Sequence, residues 1–430
     1  MDREFDLVLV GATGFVGRLT AAHLAEAAPT GVRIALAGRS GDRLDRLRAE
    51  LPAAAHDWPL VQIDVADPAA CDALAQRATA VATTVGPYAV NGLPLVRACA
   101  EAGTHYADLT GEVLFVHQSV SELHEVAQRS GARIVHACGF DSVPSDLGVW
   151  LTAQRARDED AGGLADTVLT VRRLRGGFSG GTIDSMRQQV MAARTDPAAR
   201  RVLANPTALS APTPHRRPAG KPGGRHTVLD RLRPPVRREP GSDRWRVPFV
   251  MGGFNAPLVR RSHSLVEEGY GAGFRYRELH DVGRGVRGAL RGAGAVGAVT
   301  AAGVGLAFSP TRAVLDRLLP APGQGPSEQQ RARGGFTMEI VAGTDSGVRY
   351  RTIVAADLDP GYDGTAVMFG QSGLALAGGE GAGAGVLTPA TALGDALVER
   401  LRRHGFTFTT ERLGDNQTAP DPGRGGDTRA

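Results

Sequence analysis

The first 150 residues alternate continuous apolar runs with stretches whose apolar positions recur at helical spacing. The apolar runs predict strands at Phe5–Val10, Val32–Ala37, Leu60–Asp64, Ala80–Thr84, His105–Ala107 and Arg133–Ala137. The helical spacing predicts helices at Gly14–Ala28, Asp42–Leu51, Pro68–Arg77, Gly92–Ala102 and Val113–Ser130. Strands separated by helices need crossover connections, which indicate a parallel sheet with both faces covered. We therefore predict an α/β fold in which residues 1–155 form a Rossmann-type, doubly wound parallel sheet.

The pattern changes after Leu164, where apolar and polar residues alternate as they do in strands with one solvent-exposed face. This part of the chain predicts strands at Thr167–Arg175, Phe336–Val341 and Gly347–Ala356 and a helix at Gly181–Arg194. Residues 156–385 are therefore expected to form a second, α+β substrate domain with a mainly antiparallel sheet. A last helix is predicted at Leu387–His404, with Thr388 as its N-cap, and residues 411–430 are expected to be a flexible tail.

Two stretches of the second domain differ in composition from the rest of the chain. Residues 205–248 are rich in Pro and Arg and are expected to form a partly ordered excursion. Between His215 and Arg246 there are ten Lys or Arg and three Asp or Glu, a local charge of +7, so the remainder carries about −3 (4 minus 7). Because the positive charge is confined to one segment, we predict no nucleic-acid partner. A local contact with phosphate or membrane headgroups stays open.

The other stretch, residues 292–308, carries no charged residue and consists mostly of Ala, Gly and Val. It is short for a membrane-spanning helix, so we favour a buried helix or an interfacial hairpin, which leaves a peripheral membrane contact open. The start of the sequence lacks the apolar core of a signal peptide. The three cysteines are scattered, so we expect no disulfide framework, no metal site and a cytoplasmic location.

The first predicted strand runs directly into a turn with three regularly spaced glycines, Gly11, Gly14 and Gly17. The first glycine permits a tight turn, the second leaves room for phosphate, and the third lets the helix pack against the strand. The free N–H groups at the helix start then face the anion. We expect the whole turn to contact a dinucleotide, including the intervening residues Ala12, Thr13, Phe15 and Val16.

The second predicted strand ends at Arg39 and Ser40, without the acidic residue that binds the ribose 2′-hydroxyl in NAD-binding proteins. An arginine and a serine at this place can bind a 2′-phosphate through charge-assisted hydrogen bonds, so we expect Arg39 and Ser40 to favour NADP. Asp64, at the end of the third predicted strand, is expected either to contact the adenine or to cap the next helix.

Three loops follow the later strands and are expected to open at the same edge of the sheet: Thr83–Gly92, Tyr106–Glu112 and His136–Gly148. A turn against the cofactor is expected at Val85, Gly86 and Pro87. The phenol of Tyr88 would then point into the cleft, so Tyr88 is our first prediction for a proton donor and Asp141 the second. Asp108 is expected to be structural. For each of these residues, loop bracing or capping is the alternative.

Seven motifs occur in order along the chain: GATGFVG, AGR, VGPY, YADLTGE, GFDSVPSDLG, FSGGT and TPATALGDAL. On these motifs, from Phe5 to Phe408, the chain resembles the saccharopine dehydrogenase-like oxidoreductases, and most closely their trans-acting enoyl reductase branch. The resemblance implies a Rossmann domain completed by about residues 386–410, an intervening α+β domain, and NADPH as cofactor. It also implies reduction of a carbon–carbon double bond in a polyketide or lipid-type acyl intermediate, with a polyketide synthase as partner.

Three functions are compatible with these observations. The first is an NADPH-dependent enoyl reductase acting on a small or carrier-bound acyl substrate. The second is an oxidoreductase with the same cofactor that acts on a C–N or C=O centre. The third is an NADPH-binding or membrane-tethering protein without turnover. A homodimer is compatible with each of them.

Overall fold

The computed structural model describes residues 3–176, 180–211, 235–239, 241–307 and 325–414. Its strands are β1 (Phe5–Val10), β2 (Ile34–Gly38), β3 (Leu60–Gln62), β4 (Ala78–Thr83), β5 (His105–Asp108), β6 (Arg133–Val135), β7 (Leu164–Arg175), β8 (Arg237–Arg238), β9 (Arg244–Pro248), β10 (Arg275–Arg284), β11 (Gly335–Thr344), β12 (Arg349–Ala356), β13 (Gly385–Leu387) and β14 (Thr407–Leu413). Its α-helices are α1 (Phe15–Ala27), α2 (Gly41–Glu50), α3 (Pro68–Arg77), α4 (Tyr88–Asn91), α5 (Leu93–Ala102), α6 (Val113–Ser130), α7 (Val143–Asp158), α8 (Gly180–Thr195), α9 (Pro197–Ala204), α10 (Gly252–Leu265), α11 (Gly285–Ala307), α12 (Glu328–Arg331), α13 (Thr365–Ala377), α14 (Pro389–Ala392) and α15 (Gly394–Arg403).

Seven parallel strands form the first sheet, in the order β13-β6-β5-β4-β1-β2-β3. At its centre, Val8 of β1 pairs with Ala35 on one side and with Val81 on the other. The residues of β1 are almost all buried, as expected for a strand with both faces covered. The strand order reverses between β1 and β4, where the carboxyl ends of the strands leave a crevice for ligands. The predicted doubly wound parallel sheet is confirmed.

Residues from late in the chain complete this sheet. β13 pairs in parallel with β6, and α13 packs across the strands. A Cβ on Gly373 of α13 would lie 3.2 Å from Leu7 and 3.5 Å from Ala82. The part of the chain that packs on the first sheet therefore starts at Thr365, earlier than the expected residue 386.

The predicted helix Leu387–His404 is divided in the structure. Leu387 ends β13, and Thr388 caps α14 through a reciprocal capping box with Thr391, as predicted for the N-cap. Gly394 has a φ of +44°, which interrupts the helix before α15. β14 then pairs with β12 of the second sheet, so residues 411–413 belong to a strand and not to the expected tail. Residues 415–430 lie outside the described residues.

The second sheet has the order β14-β12-β11-β7-β10-β9-β8. β7 and β10 are parallel and the other neighbours are antiparallel, so the predicted mainly antiparallel sheet is confirmed. One face packs against α7, where a Cβ on Gly148 would lie 2.4 Å from Ile340. On the opposite face, the largely buried Arg172 makes ion pairs with Glu239 (2.8 Å) and Asp281 (3.2 Å).

Of the two unusual stretches, the Pro/Arg-rich segment 205–248 is described only in part, and its expected partial order stays a prediction. β8 and β9 form a hairpin at the end of this segment, and Glu239, which follows β8, pairs with Arg172 of β7; residues 212–234 and residue 240 lie outside the described residues. The apolar segment 292–308 belongs to α11 as far as Ala307, and most of its described side chains are exposed. The expectation of a buried helix or a hairpin is therefore wrong. Within the described ranges, every helix falls short of the length and hydropathy needed to span a membrane.

Candidate active site

The glycine turn between β1 and α1 leaves its backbone open to an anion. Gly11 has a φ of +81°, and Gly14 is the N-cap of α1 without a side-chain hydrogen bond. The first turn of α1 contains no acidic residue, so its N–H groups and the positive end of the helix are available. A Cβ on Gly17 would lie 2.2 Å from the carbonyl oxygen of Gly11, whereas a Cβ on Gly14 would lie 3.3 Å from it. The geometry therefore suits a pyrophosphate on the Gly14 side of the turn.

The second domain reaches the same turn. The ring of Phe15, the first residue of α1, meets the ring of Tyr362 edge-on at 5.0 Å. The guanidinium of Arg331 lies 5.8 Å above the Phe15 ring and pairs with Asp363. Helix α12 and the segment between β12 and α13 therefore border the nucleotide side of the crevice.

Arg39 and Ser40 lie at the carboxyl end of β2, and the Arg39 side chain is exposed. Ser40 is the N-cap residue of α2, but its hydroxyl makes no capping hydrogen bond. Arg43, one helical turn later, donates from Nη2 to the carbonyl oxygen of Thr13 at 3.3 Å. This second guanidinium beside the glycine turn was not among the predicted site residues, although Arg43 lies in the first turn of the helix that follows Arg39. Two arginines and a hydroxyl together suit a phosphate group.

Asp64 follows β3 and is exposed. Its Oδ1 accepts a hydrogen bond from the N–H of Ala66 at 3.1 Å. The cap of α3 is instead Asp67, whose carboxylate accepts from the N–H of Ala69 at 3.0 Å. The capping alternative for Asp64 is therefore wrong, and the adenine contact stays a prediction.

The loop after β4 contains a cis peptide bond between Gly86 and Pro87. The Tyr88 ring that follows is buried, and its hydroxyl donates to the carbonyl oxygen of Thr83 at 3.1 Å. The same hydroxyl accepts from the N–H of Leu109 at 3.2 Å. Burial raises the pKa of Tyr88 well above its usual value. The expectation that the phenol points into the cleft is wrong, because its hydroxyl is held by the backbone of two loops.

Glu112, at the end of the loop after β5, is a buried carboxylate with three donors. Its Oε1 accepts from the N–H of Tyr88 at 3.0 Å and from the hydroxyl of Ser185 at 2.8 Å. Its Oε2 accepts from the N–H of Ala89 at 2.7 Å. Burial nevertheless raises the pKa of Glu112. This side chain fixes the loop after β4 and joins it to α8 of the second domain.

A second contact between α8 and the loop after β5 is made by Gln189, one helical turn after Ser185. The side chain of Gln189 donates to the carbonyl oxygen of Gly111 at 3.1 Å and accepts from the N–H of Val113 at 2.9 Å. Gly111 also faces Met251, whose Cε would lie 3.7 Å from a Cβ at this position. The loop after β5 is therefore where the two domains meet.

Asp108 belongs to a fully buried polar cluster. Its Oδ2 lies 2.7 Å from Nδ1 of His136, and Nε2 of His136 lies 2.8 Å from the hydroxyl of Ser119. The other carboxylate oxygen of Asp108 accepts from the N–H of Ala137. Although the side chains are of the types found in hydrolytic triads, none of the three is accessible to a substrate. This geometry agrees with the structural role expected for Asp108.

In the loop after β6, Asp141 is the one residue of the stretch 136–149 that is not buried. The next residue, Ser142, donates its hydroxyl to Oδ1 of Asn255 at 2.9 Å. The amide of Asn255 donates to Oε2 of Glu278 at 3.0 Å, and the Tyr276 hydroxyl donates to Oε1 at 2.7 Å. Burial raises the pKa of Glu278, and the charge of Asp141 acts in the same direction. A partly exposed carboxylate therefore has a buried one close behind it.

A further buried carboxylate, Asp146 of α7, joins this helix to α10 and to the start of α14. Its Oδ2 accepts from the N–H of Ala390 at 2.8 Å, and the hydroxyl of Ser262 donates to its other oxygen. The hydroxyl of Ser262 also lies 2.6 Å from that of Thr388. Burial raises the pKa of Asp146 to about 6. This group holds the sheet edge together behind the cleft and does not face it.

The predicted site residues thus fall into two groups. The glycine turn, Arg39 and Ser40 border the nucleotide side of the crevice, while Val85, Gly86, Pro87 and Asp141 border its other end. Tyr88 lies under the floor. In the part of the chain that the structure describes, no group of three His, Cys, Asp or Glu side chains can hold a metal ion. In the FSGGT motif, Phe178 and Ser179 lie outside the described residues.

Comparison with known proteins decides the family. Residues 7–135 match the NADP-binding domain of saccharopine dehydrogenase. A trans-acting enoyl reductase of Mycobacterium tuberculosis is 43% identical over 426 residues, which cover 96% of this chain and 99% of that protein. The chain belongs to the trans-acting enoyl reductase family. A further trans-acting enoyl reductase, from Mycobacterium ulcerans, is 44% identical over 420 residues, with 96% and 99% covered.

The fold agrees with this family. Saccharopine dehydrogenase (L-Glu forming) from Saccharomyces cerevisiae superposes with a TM-score of 0.54 at 11% identity, covering 95% of this chain and 99% of that one. The NADP-binding domain and the phosphate-compatible turn agree, so the predicted NADP-dependent oxidoreductase is confirmed. In this member of the trans-acting enoyl reductase family, the glycine turn, the start of α1 and the neighbouring side chains of Arg39 and Arg43 suit NADP.

Proposed function

We propose that the chain is an NADPH-dependent reductase of the carbon–carbon double bond of an enoyl thioester in polyketide or lipid assembly. The observation that carries this proposal is the full-length identity of 43–44% to proteins named trans-acting enoyl reductases. The geometry supports it, because a nucleotide-binding turn and a partly exposed carboxylate border one crevice.

The cofactor is proposed to lie along the carboxyl edge of the first sheet. Its pyrophosphate would lie on the turn Gly11–Gly17, and Arg39, Ser40 and Arg43 would hold the 2′-phosphate. Asp64 is proposed to contact the adenine. The loop Val85–Pro87 would then border the nicotinamide, as the order of the strands requires.

When bound, NADPH supplies a hydride to the β-carbon of the unsaturated thioester. The chain must then donate a proton to the α-carbon and stabilise the enolate that forms between these events. We assign the proton to the Asp141 carboxyl, because it is the accessible group of its loop. Tyr88 is assigned a positioning role, since its hydroxyl holds Thr83 and Leu109 in place.

The test follows NADPH oxidation with crotonyl, imine and keto substrates. We expect consumption with the crotonyl thioester, and Asp141→Asn should lower kcat at least about tenfold with an unchanged Kd for NADPH. Asp166→Asn on β7, whose half-exposed carboxylate pairs with Arg277, is the control. Faster turnover of an imine or ketone would favour the C–N or C=O alternative. Tight NADPH binding without consumption of any acceptor would favour a protein without turnover.

The partner and location are proposed on separate grounds. A polyketide synthase is proposed to present the acyl group, because the relatives are named for action in trans. Cys71, Cys99 and Cys138 are free and buried, which suits the reducing cytoplasm as the place of action.

A further inference from the structure

Helix α11 presents an outward face that combines apolar and basic side chains. Val286 is 77% exposed and Leu290 is 67% exposed, and with Ala293 and Gly297 they form a stripe along the helix. Arg287 and Arg291 form the neighbouring stripe and are exposed. Three of the four strongly exposed large apolar side chains in the described ranges lie on this one helix. Such a concentration indicates an interaction surface.

This surface lies on the cleft side of the second sheet. A Cβ on Gly292 of α11 would lie 3.3 Å from Val282 of β10. Val247 of β9 also lies 3.3 Å from this Cβ and pairs with His280, and His280 shares a face of β10 with Glu278, which bonds to Asn255 beside the Asp141 loop. Val282 lies four positions after Glu278 along β10, a separation of at most about 13 Å. Helix α11 also packs against α8, whose Ser185 binds Glu112 at the domain junction.

The charge on the surface is of one sign. From residue 284 to residue 301 the chain contains three arginines and no acidic residue. Arg284 makes an ion pair with Asp243, with 3.6 Å between Nε and Oδ1. Arg287 and Arg291 make no ion pair with any described residue. A partner that covers this face must therefore bring negative charge to it.

We propose that this face of α11 docks the acidic protein domain that carries the acyl thioester, so that the thioester arm enters the cleft along β10. This inference rests on the proposed function, because it names the partner of the same site. An extended phosphopantetheine arm covers the distance from the helix to Glu278. Small outward residues such as Ala293 and Gly297 allow a partner helix to approach closely.

The observations favour this occupant over two others. A lipid surface is held by interfacial helices with several large apolar anchors, and α11 exposes few of them and no aromatic residue between residues 284 and 301. A second copy of the chain seated by a two-fold axis would set Arg287 and Arg291 against their own equivalents. Both occupants are outcomes of the test.

The experiment compares two donors of the same crotonyl group. One is an acyl carrier domain of a reducing polyketide synthase, and the other is the neutral N-acetylcysteamine thioester, which has no protein surface. For the double variant Arg287→Glu with Arg291→Glu, kcat/KM should fall about tenfold or more with the carrier domain and change less than twofold with the small thioester. Added salt should lower the wild-type rate with the carrier domain and leave that of the variant nearly constant.

The control variant, Arg129→Glu with Arg403→Glu, makes the same charge change on two other helices, α6 and α15, where Arg129 is 70% exposed and Arg403 is exposed. Equal losses with both donors, or no loss with the carrier domain, would overturn the inference. The inference would also be overturned if the double variant no longer sedimented with vesicles of equal parts phosphatidylglycerol and phosphatidylcholine, as the wild type then does, while its kcat/KM with the carrier domain stayed unchanged. A concentration-dependent dimer that only the double variant abolishes, without a kinetic effect, would also overturn it.

Failure of the proposed function gives a different result. If the wild-type protein consumes neither donor, the enoyl reductase proposal fails. Titration with a fluorescent carrier domain then still tests the docking surface: weaker binding by the double variant alone supports it, and equal binding overturns it.

Discussion

Ser185 and Glu112 connect the two domains at the floor of the cleft, with the Ser185 hydroxyl donating to Oε1 of Glu112 at 2.8 Å. The same carboxylate holds the N–H groups of Tyr88 and Ala89. One buried side chain therefore sets both the shape of the loop after the cis peptide bond and the position of α8.

Replacing Glu112 by Gln should lower the free energy of unfolding by about 1–3 kcal/mol, because the amide NH2 group faces a donor that then lacks an acceptor. Ser185→Ala should cost about 1 kcal/mol, since the two backbone donors keep the carboxylate satisfied. Urea unfolding of both single variants and the double variant gives the coupling energy. Strictly additive effects would contradict the connection described above.

Replacing Arg39 by Ala should weaken NADPH binding about 10- to 100-fold and leave NADH binding nearly unchanged, because a charge-assisted bond to the 2′-phosphate is lost. Arg43→Ala should show the same selectivity to a smaller degree. Titration calorimetry with both nucleotides measures the ratio. Arg46→Ala, on the same helix, is the control, and an equal loss for NADH would refute the assignment.

Replacing Tyr88 by Phe should lower the free energy of unfolding by about 1–3 kcal/mol and leave kcat within about threefold of the wild type. The reason is that the N–H of Leu109 loses its buried acceptor. Tyr106→Phe removes a comparable buried hydroxyl, bonded to Asp108, and should cost similar stability. A tenfold loss of kcat at unchanged stability would instead make Tyr88 the proton donor.

The stability of the protein should depend on pH through Asp146. Burial raises the pKa of Asp146 from 3.8 to about 6 in the folded chain, so folding favours the protonated form. Its stabilising contribution is therefore fully present below about pH 4 and is lost as the pH rises through about 6. Relative to Asp146→Asn, whose amide stays neutral, the wild type should lose about 2–3 kcal/mol between pH 4 and pH 7.

Unfolding curves across this range measure the difference, with the exposed Asp72→Asn as control. A constant difference between wild type and Asp146→Asn would show that Asp146 is ionised throughout.

The sequence predicts the first sheet well because its strands are continuous apolar runs and its glycine turn has a fixed spacing. β10 escapes prediction, since Glu278 on its inward face is polar and its buried carboxylate is satisfied by Tyr276 on the same strand and by Asn255 of α10, 23 residues away. The role of Glu112 is equally invisible along the chain, because Ser185 lies 73 residues away. Local pattern fixes strands and turns, but not the side chains that meet across a domain junction.

The nucleotide-binding sheet takes six strands from the first 135 residues and its edge strand, β13, from residues 385–387. During synthesis, the amino-terminal half must therefore leave the ribosome with one sheet edge unpaired and with the sheet surface that later packs against α13 uncovered. A fragment ending at residue 155 would expose Leu7 and Ala82 to water on this surface. The chain can close its nucleotide domain only after the whole substrate domain has been translated.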